Sequence, residues 1–466
     1  MTITPPALVD AAVLNKSLRA TFDSGRTRPL AWRQEQLAGL RRMMVEGEAE
    51  LLDALRADLG RPKVEAFAAD IGHTKQELRH MAKHLGKWMK PTKVRMPVTV
   101  APAKGWIVSE PLGVALVIAP WNYPIQLLVE PVGAALAAGN CVVAKPSELA
   151  PACSAALARL LPRYVDPDAL TVVEGGVDET TALLAERWDH IFFTGSTPVG
   201  RVVAAAAATH LTPTVLELGG KSPTYVHASA DLDVAARRIA WGKFLNAGQT
   251  CIAPDYVLVD HEVKDALVEK LTRQVRAFYG ADPKASKSFG RIVNDRHVER
   301  LTGLLASGAG TVATGGEIDA AERFVAPTIT VEPRPESAVM QEEIFGPILP
   351  VLGVGGPTEA KAFISARPKP LALYVFAQRD DVIDDVVAHT TSGGVCVNQT
   401  LMHLLPADLP FGGVGDSGMG AYHGRTGFDA FSHHKSVLRK RTKPDLKMLY
   451  PPYRPLAEKL VRRIIK

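Results

Sequence analysis

The stretch HIFFTGSTPVG at residues 190–200 joins an apolar strand candidate to a glycine-rich turn and the start of a helix. Pro198 falls near the first turn of that helix, a position that proline favours. The free backbone amides of this turn can face an anion such as a pyrophosphate. The stretch therefore predicts a strand–turn–helix unit of a parallel α/β sheet, with an anion site between Gly195 and Gly200.

The same alternation of strands and helical patterns continues on both sides of this unit. Such a rhythm predicts a doubly wound parallel sheet, which binds ligands at the carboxyl ends of its strands. The strand candidates are residues 113–119, 141–145, 171–174, 190–194 and 214–218. The turns that follow carry PWNYP (120–124), KPSE (145–148), GSTPVG (195–200) and ELGG (217–220). We expect a site at this edge of the sheet.

A second α/β region follows and contains the candidate nucleophile. Asp231 is a suitable cap for a helix that runs towards Asn246. Cys251 comes after this helix, at the end of LNAGQTC (245–251), where a turn can present a thiolate to a substrate. A free cysteine is also a common small core residue, so its position alone leaves both interpretations open. Further strand candidates are 256–259, 348–354, 371–376 and 395–398.

Before the sheet, the chain is expected to be helical. Apolar residues recur at helical spacing over 32–59, where Gly60-Arg61-Pro62 ends the run, and again over about 74–89. Residues 94–100 are expected to form an extended arm. With 466 residues the chain exceeds what one hydrophobic core usually supports, so two domains or one large α/β unit are expected.

Composition and charge exclude several classes of protein. The four cysteines are widely spaced without a CxxC pair, so neither a disulfide framework nor a metal site is expected, and a cytoplasmic location fits. No apolar run approaches the length that spans a bilayer. Residues 435–466 carry 11 Lys/Arg against 2 Asp/Glu, a net +9, which leaves −4 for the rest of a chain of net +5. This uneven distribution argues against a nucleic-acid surface.

The basic tail ends in an amphipathic pattern. Leu456, Leu460, Val461, Ile464 and Ile465 share one helical face, and Lys459, Arg462, Arg463 and Lys466 surround it. A helix of this kind can lie on an anionic membrane surface, or it can dock on the protein or on a partner subunit. A formal GxGxxG at Gly413, Gly415 and Gly418 follows no buried strand, and we interpret it as a tight loop.

Seven motifs in this order resemble the aldehyde dehydrogenase superfamily. They are PWNYP (120–124), KPSE (145–148), FTGSTPVG (193–200), ELGGKSP (217–223), GQTC (248–251), EEIFGP (342–347) and PFGGVGDSGMG (410–420). GQTCIAPDY (248–256) and the segment from Gly412 to Ser436 are similar to the class 3 branch of fatty, aromatic and coniferyl aldehyde dehydrogenases.

The resemblance implies a fold of two doubly wound α/β domains with a small β element for bridging and oligomerisation, in a homodimer. Residues 1–87 and 108–219 would form the NAD(P)-binding domain and 220–420 the catalytic domain. The bridging element would comprise 88–107 and 421–445, followed by the basic tail at 446–466.

The chemistry of aldehyde oxidation needs a nucleophile, a stabiliser for the oxyanion and a base for hydrolysis of the acyl intermediate. Cys251 is the candidate nucleophile, because a thiol is strongly nucleophilic even when little of it is ionised. By resemblance, the Asn122 amide and the Cys251 N–H bind the oxyanion. Glu217 has the position of a general base that activates water, which favours a free acid as product.

For the cofactor, NAD or NADP, the resemblance implies a second group of residues. Lys145 and Glu148 would meet the adenosine ribose, Gly195 and Ser196 the pyrophosphate, and Glu343 with Phe345 the nicotinamide ribose. Trp121, Gly200 and Leu218 complete the expected cofactor site.

The expected substrate is a medium- to long-chain aliphatic or aromatic aldehyde. Two other functions remain open at this point: a cysteine hydrolase without a redox step, and a catalytically silent binding protein on the same scaffold.

Overall fold

The computed structural model describes residues 10–464 except 446, 448 and 449. The helices in these residues are α1 (Ala11–Asp23), α2 (Leu30–Glu46), α3 (Glu48–Leu59), α4 (Lys63–Ala66), α5 (His73–Trp88), α6 (Gln126–Ala138), α7 (Pro151–Tyr164), α8 (Val177–Ala185), α9 (Thr197–Thr209), α10 (Leu232–Phe244), α11 (Lys264–Tyr279), α12 (Asp295–Ala306), α13 (Ala338–Gln341), α14 (Pro357–Ser365), α15 (Asp380–Ala388), α16 (Gly424–Ala430) and α17 (Pro455–Ile464).

The strands are β1 (Thr92–Val94), β2 (Ala103–Pro111), β3 (Val114–Ile118), β4 (Cys141–Lys145), β5 (Leu170–Val172), β6 (His190–Thr194), β7 (Thr214–Glu217), β8 (Pro223–Val226), β9 (Tyr256–Asp260), β10 (Thr311–Thr314), β11 (Ile318–Asp319), β12 (Phe324–Val325), β13 (Thr328–Val331), β14 (Ile348–Val354), β15 (Ala372–Phe376), β16 (Gly394–Val397), β17 (Gly418–Met419) and β18 (Ser432–Lys440).

The first large sheet has the order β17-β7-β6-β3-β4-β5 and is parallel except for β17. Its central strand β3 is buried on both faces because helices cover both. Val114 and Leu116 pack with Leu18 of α1 and Val203 of α9, whereas Ala115 belongs to the core formed with α2 and α6. The predicted doubly wound sheet is therefore confirmed.

The second large sheet has the order β10-β13-β14-β9-β8-β15-β16, and all its pairs but β10–β13 are parallel. The chain passes from the first sheet to the second between Glu217, the end of β7, and Pro223, the start of β8. β14 and β15 are almost wholly buried. The expected architecture of two α/β units is confirmed.

A small antiparallel sheet, β1-β2-β18, joins residues 92–111 to residues 432–440. Its limits differ from the expected domain ranges, since β2 continues to Pro111 and residues 421–431 include α16 rather than a strand. β17, placed within the expected catalytic range, pairs with β7 of the first sheet. These boundaries depend on pairing between strands that are far apart in the sequence. A local sequence pattern does not reveal such pairing.

Two predicted elements are wrong in detail. The expected single helix over 32–59 is two helices that meet at Gly47, where an added Cβ would lie 3.0 Å from the Leu160 side chain and 2.8 Å from the Met43 carbonyl oxygen. The expected extended arm over 94–100 is instead the end of β1 followed by a 3-10 turn over Val98–Val100. In the described part of the chain, every helix is too short or too polar to cross a bilayer.

Asn140 links the first sheet to the returning C-terminal segment. Its Oδ1 accepts from the Gly113 N–H at 2.9 Å. Its Nδ2 donates to the carbonyl oxygens of Ala135 at 3.0 Å and Phe431 at 2.9 Å. The side chain is fully buried, so these bonds replace contacts that water would make in the unfolded chain.

We expect Asn140→Ala to lower the free energy of unfolding by about 1–3 kcal/mol, because it leaves buried backbone groups without partners. Chemical denaturation would measure the loss. Asn15→Ala is the matched control, since its amide donates one bond to the Arg187 carbonyl at the surface, and we expect a change below about 0.5 kcal/mol. Equal losses in the two variants would contradict the proposed role of Asn140.

Candidate active site

A cavity of about 620 Å³ lies where the loops after β3, β6 and β7 face the second sheet. It brings together residues that are far apart in sequence, at the carboxyl ends of parallel strands. Nine of the twelve expected site residues line it: Trp121, Asn122, Gly195, Ser196, Glu217, Leu218, Cys251, Glu343 and Phe345. Lys145, Glu148 and Gly200 do not line this cavity.

The turn that carries Cys251 has an unusual backbone. Asn246, Ala247 and Gly248 are three consecutive residues with positive φ, at 52°, 51° and 76°. Gly248 is required there, because an added Cβ would overlap the backbone of Gly346 as well as strain the left-handed conformation. This tight turn ends the helical segment and places Cys251 at the cavity, as the sequence predicts.

The environment of Cys251 favours the neutral thiol. Burial raises its pKa to about 12, and the carboxyl groups of Glu343 and Glu217 act in the same direction. The backbone N–H groups of Cys251 and Ile252 act in the opposite direction, towards the thiolate. Burial therefore favours the thiol over the thiolate at Cys251.

Glu217 ends β7 and is only 3% exposed. Neither of its carboxyl oxygens has a hydrogen-bond partner among the described residues. Burial raises its pKa well above the usual range for a glutamate. A carboxyl group with an elevated pKa and free lone pairs suits a general base, because a general base works best when its pKa lies near the working pH.

Hydrogen bonds orient the side chain of Asn122. Its Nδ2 donates to the carbonyl oxygen of Gln249 at 3.1 Å. A carbonyl oxygen can only accept, so this bond assigns the nitrogen rather than the oxygen to that side. One of the two amide N–H groups remains for a ligand in the cavity. Asn122 can thus donate to an oxyanion formed on a substrate bound at Cys251.

The segment that carries Glu343 and Phe345 is held by two cations that the sequence did not single out. Arg300 donates to the carbonyl oxygens of Glu343 at 3.2 Å and Ile344 at 2.6 Å. Lys221 donates to the Glu342 carbonyl at 2.8 Å. Lys221 was visible within the ELGGKSP motif, whereas no local pattern marked Arg300.

Glu343 itself is poorly solvated in this position. Burial raises its pKa to about 8, and the nearby Asp255 carboxylate adds to this effect. Its Oε1 has no hydrogen-bond partner among the described residues. A ligand hydroxyl at this point, such as that of a ribose, would supply the missing donor.

Lys145, the last residue of β4, and Glu148, which follows it, lie together outside the main cavity. Lys145 Nζ donates to the Pro146 carbonyl at 2.8 Å and lies 3.8 Å from Glu148 Oε2. The Lys145 side chain is 2% exposed and that of Glu148 is 46% exposed.

Gly200 is buried in α9, where an added Cβ would lie 2.6 Å from the Leu218 side chain, so this glycine permits close packing.

A buried cluster behind the cavity was missed at the level of sequence. The Glu130 carboxyl lies between His73 Nε2 and His423 Nε2, at 3.7 Å from each. Burial raises the pKa of Glu130 to about 8 and lowers that of His423 to about 3. The three side chains could surround a metal ion by proximity. However, these pKa directions describe three neutral groups, and Glu130 already accepts from the Thr74 hydroxyl at 3.2 Å.

The glycine-rich segment with the formal GxGxxG is a loop, as interpreted. Phe411 and Tyr422 close it through an antiparallel bridge, and Gly415 bridges Gly418. Phe411, Asp416 and Tyr422 line the cavity. The loop therefore forms part of the cavity wall, and no strand-to-helix turn of a dinucleotide fingerprint is present at these residues.

The fold and the site together define an α/β protein in which a cysteine faces the ligand-binding edge of a parallel sheet. The model of the aldehyde dehydrogenase family matches residues 6–437. The chain belongs to the aldehyde dehydrogenase family, and its activity is NAD(P)-dependent oxidation of an aldehyde.

Individual relatives agree with this assignment. The chain is 49% identical to the dimeric NADP-preferring aldehyde dehydrogenase of Canis lupus familiaris, over 93% of this chain and 96% of the relative. It is 48% identical to aldehyde dehydrogenase family 3 member A2 of Mus musculus, over 93% and 90% of the two chains. These are class 3 enzymes, so the resemblance to that branch is confirmed.

Solved structures show the same fold. The substrate-bound AldH of Staphylococcus aureus superposes with a TM-score of 0.95 at 44% identity, covering 98% of this chain and 99% of that one. An indole-3-acetaldehyde dehydrogenase in complex with NAD⁺ gives a TM-score of 0.86 at 28% identity, covering 93% and 89%.

The elevated pKa of Cys251 predicts a specific pH dependence of alkylation. In the cofactor-free protein, iodoacetamide should modify Cys251 at a rate that rises about tenfold per pH unit from about pH 7 to pH 9.5, because only the thiolate reacts. Peptide-level mass spectrometry would follow this cysteine separately from Cys396, the other partly exposed one. A plateau of the Cys251 rate below about pH 9 would contradict the assigned pKa.

Proposed function

We propose that the protein oxidises an aldehyde to the free carboxylic acid through a covalent intermediate on Cys251. The observation that carries this proposal is that Cys251, Asn122 and Glu217 line one cavity together with the loops that can hold a dinucleotide. The three groups meet the three chemical needs of the reaction: attack on the carbonyl, stabilisation of the oxyanion and hydrolysis of the acyl group.

The Cys251 sulfur adds to the aldehyde carbon, and the thiol proton leaves to a base or to water. The carbonyl oxygen becomes an oxyanion, which accepts hydrogen bonds from the Asn122 amide and from the Cys251 N–H. A dinucleotide held at the first turn of α9 and at Glu343 would supply the acceptor for the hydride that leaves the tetrahedral carbon. Glu217 takes a proton from water as that water attacks the resulting thioester, and the acid departs with the thiol restored.

The residues present fit a dinucleotide. The first turn of α9, which begins at Thr197, presents backbone N–H groups that have no partner within the helix, and these suit a pyrophosphate. Lys145 and Glu148 would meet the adenosine ribose. The Glu148 carboxylate suits ribose hydroxyls, whereas the Lys145 ammonium beside it suits a 2′-phosphate, so the pair supports use of both NAD and NADP.

The proposed substrates are medium- to long-chain aliphatic or aromatic aldehydes. The cavity wall carries a set of aromatic and aliphatic side chains, which suits an apolar aldehyde tail. They are Trp121, Leu127, Met340, Leu371, Phe411 and Tyr422.

Substitutions of Glu217 and Cys251 test the mechanism. With an aliphatic aldehyde and either cofactor, Glu217→Gln should retain a burst of reduced cofactor near one equivalent per site, followed by turnover slowed about 10²- to 10⁴-fold. Stopped-flow absorbance at 340 nm measures both phases. Cys251→Ser should lose burst and turnover while still binding cofactor.

Glu130→Gln is the matched control for Glu217→Gln. Glu130 is also a buried glutamate with an elevated pKa, but it does not line the cavity. Its variant should turn over at a rate near that of the natural protein. A Glu217→Gln protein with an unchanged steady-state rate would rule out Glu217 as the base, and activity in Cys251→Ser would rule out the covalent route.

We also propose a homodimer in the cytoplasm. The relatives named dimeric support the assembly, as does β18, a nine-residue edge strand whose second edge is unpaired within the described residues. Proteins seldom leave so long an edge strand uncovered. The four cysteines are all free thiols, which supports a reducing compartment.

A peripheral membrane contact of α17 is a further proposal, with docking on the protein's own body or on a partner subunit as its alternatives. Leu456 is 69% exposed and Ala457 is 4% exposed, so one side of this basic helix faces solvent. Ile465 and Lys466, part of the expected amphipathic face, lie outside the described residues.

Removal of residues 455–466 tests the membrane contact. The full chain should sediment with vesicles that contain phosphatidylserine, and the truncated chain should sediment about tenfold less, because cationic and apolar groups are lost together. Vesicles of phosphatidylcholine alone serve as the control for charge. Equal sedimentation of the two chains would eliminate the membrane contact, and loss of dimers on truncation would favour docking on the partner.

A further inference from the structure

Arg61 lies beneath the active site and is almost wholly buried, at 2% exposure. It follows Gly60 at the end of α3 and does not line the catalytic cavity. Burying a guanidinium group costs free energy unless its N–H groups have acceptors and its charge is paired. Each of the three guanidinium nitrogens of Arg61 has a partner, so the side chain is held in one orientation.

The partners of Arg61 are parts of the active site rather than of the core. One terminal nitrogen donates to the backbone carbonyl of Asn122, the residue whose amide is the proposed oxyanion donor. Nε donates to Asn246 Oδ1 at 3.0 Å, within the turn that precedes Cys251. The guanidinium also stacks over the ring of Tyr123, with its central carbon 4.6 Å from the ring centroid. One side chain thus contacts both loops that form the oxyanion site.

Asn246 closes the connection between the two loops. Its Nδ2 donates to the Asn122 carbonyl at 3.0 Å and to the Gln249 carbonyl at 3.2 Å. The Gln249 carbonyl is the same oxygen that receives the Asn122 amide. Arg61, Asn246, Asn122 and Gln249 therefore form a single buried network, in which movement of one group displaces the others.

Asp70 anchors the other side of the guanidinium. It forms an ion pair with Arg61, and both side chains are fully buried. Its Oδ1 accepts from the backbone N–H groups of Ile125 at 3.1 Å and Gln126 at 3.0 Å. These amides open α6, directly after the PWNYP loop. The ion pair thus fixes Arg61 to the base of the loop whose Asn122 it holds.

We propose that Arg61, paired with Asp70, is a positioning residue. It holds the Asn122 amide and the Cys251 turn in the relative position that oxyanion binding requires. This inference rests on the proposed function of Cys251 and Asn122. This role requires the planar guanidinium group of arginine, whose three nitrogens bond to three partners at once. A lysine could pair with Asp70 but could not also reach Asn122 and Asn246 in a fixed geometry.

Arg61→Lys tests the inference, because it retains the positive charge opposite Asp70 and removes the guanidinium nitrogens that bond to Asn122 and Asn246. We expect kcat for aldehyde oxidation to fall about 10- to 100-fold, since a displaced oxyanion donor costs transition-state stabilisation and not binding. KM for the aldehyde and Kd for NAD should change less than about threefold, because uniform binding is retained. Hydrolysis of p-nitrophenyl acetate without cofactor, which uses the same thiol and oxyanion donors, should fall by a similar factor.

Arg33→Lys is the matched control. Arg33 is 4% exposed and donates to the carbonyl oxygens of Thr27, Arg28 and Ala137, none of which lines the catalytic cavity. Its variant should lose thermal stability and keep kcat. If Arg61→Lys behaves in the same way, with a lower Tm and an unchanged kcat, Arg61 is structural only and the inference is overturned.

If Arg61→Lys does not fold, Asn246→Gly provides the same test. Glycine tolerates the positive φ of this position and removes the second donor to the Asn122 carbonyl. A kcat within about threefold of the natural value in Asn246→Gly would overturn the inference. Absence of aldehyde oxidation in the natural protein, with ester hydrolysis still present and sensitive to Arg61→Lys, would refute the proposed function and leave the positioning role standing.

Discussion

The carbonyl oxygen of Gln249 is the point on which the catalytic geometry depends. It accepts the Asn122 amide from the first α/β unit and the Asn246 amide from the second. Gln249 is itself held by its side chain, which donates to the Asn246 carbonyl at 3.0 Å and accepts from the Val293 N–H at 2.9 Å. Because this network is buried and satisfied, the two units cannot shift relative to each other at the site without breaking bonds.

Low solvation is the second constraint on the site. Burial is the main cause of the raised pKa of Cys251, Glu217 and Glu343. Burial therefore favours the protonated form of each of these three groups more than water does. A bound ligand that brings hydrogen-bond donors or a positive charge would favour the charged forms of these groups. The same burial would strengthen every hydrogen bond to an oxyanion formed at Cys251.

Much of the fold could be predicted from sequence because local signals were strong. The first five strands after residue 112 were recognised by apolar runs between glycine and proline turns, and the parallel sheet followed from their alternation with helices. The break at Gly47 was missed because helical periodicity continues through it, whereas the close approach of Met43 and Leu160 that favours glycine there is visible only in the structure. The limits of the small sheet were missed because β2 and β18 are over 300 residues apart.

The candidate residues themselves were visible, since each follows a strand or a turn with a distinctive motif. The side chains that hold these residues in place were not visible. Arg61 was noted only as part of a helix-stop signal and Arg300 belonged to no motif, yet both hold active-site loops. The sequence by itself determined the family, and it marked Cys251, Asn122 and Glu217 as the candidates for the chemistry, because these depend on local pattern and residue type. Only the tertiary structure decided which buried groups orient that chemistry, since hydrogen bonds between residues 60 to 190 positions apart depend on packing that no local pattern encodes.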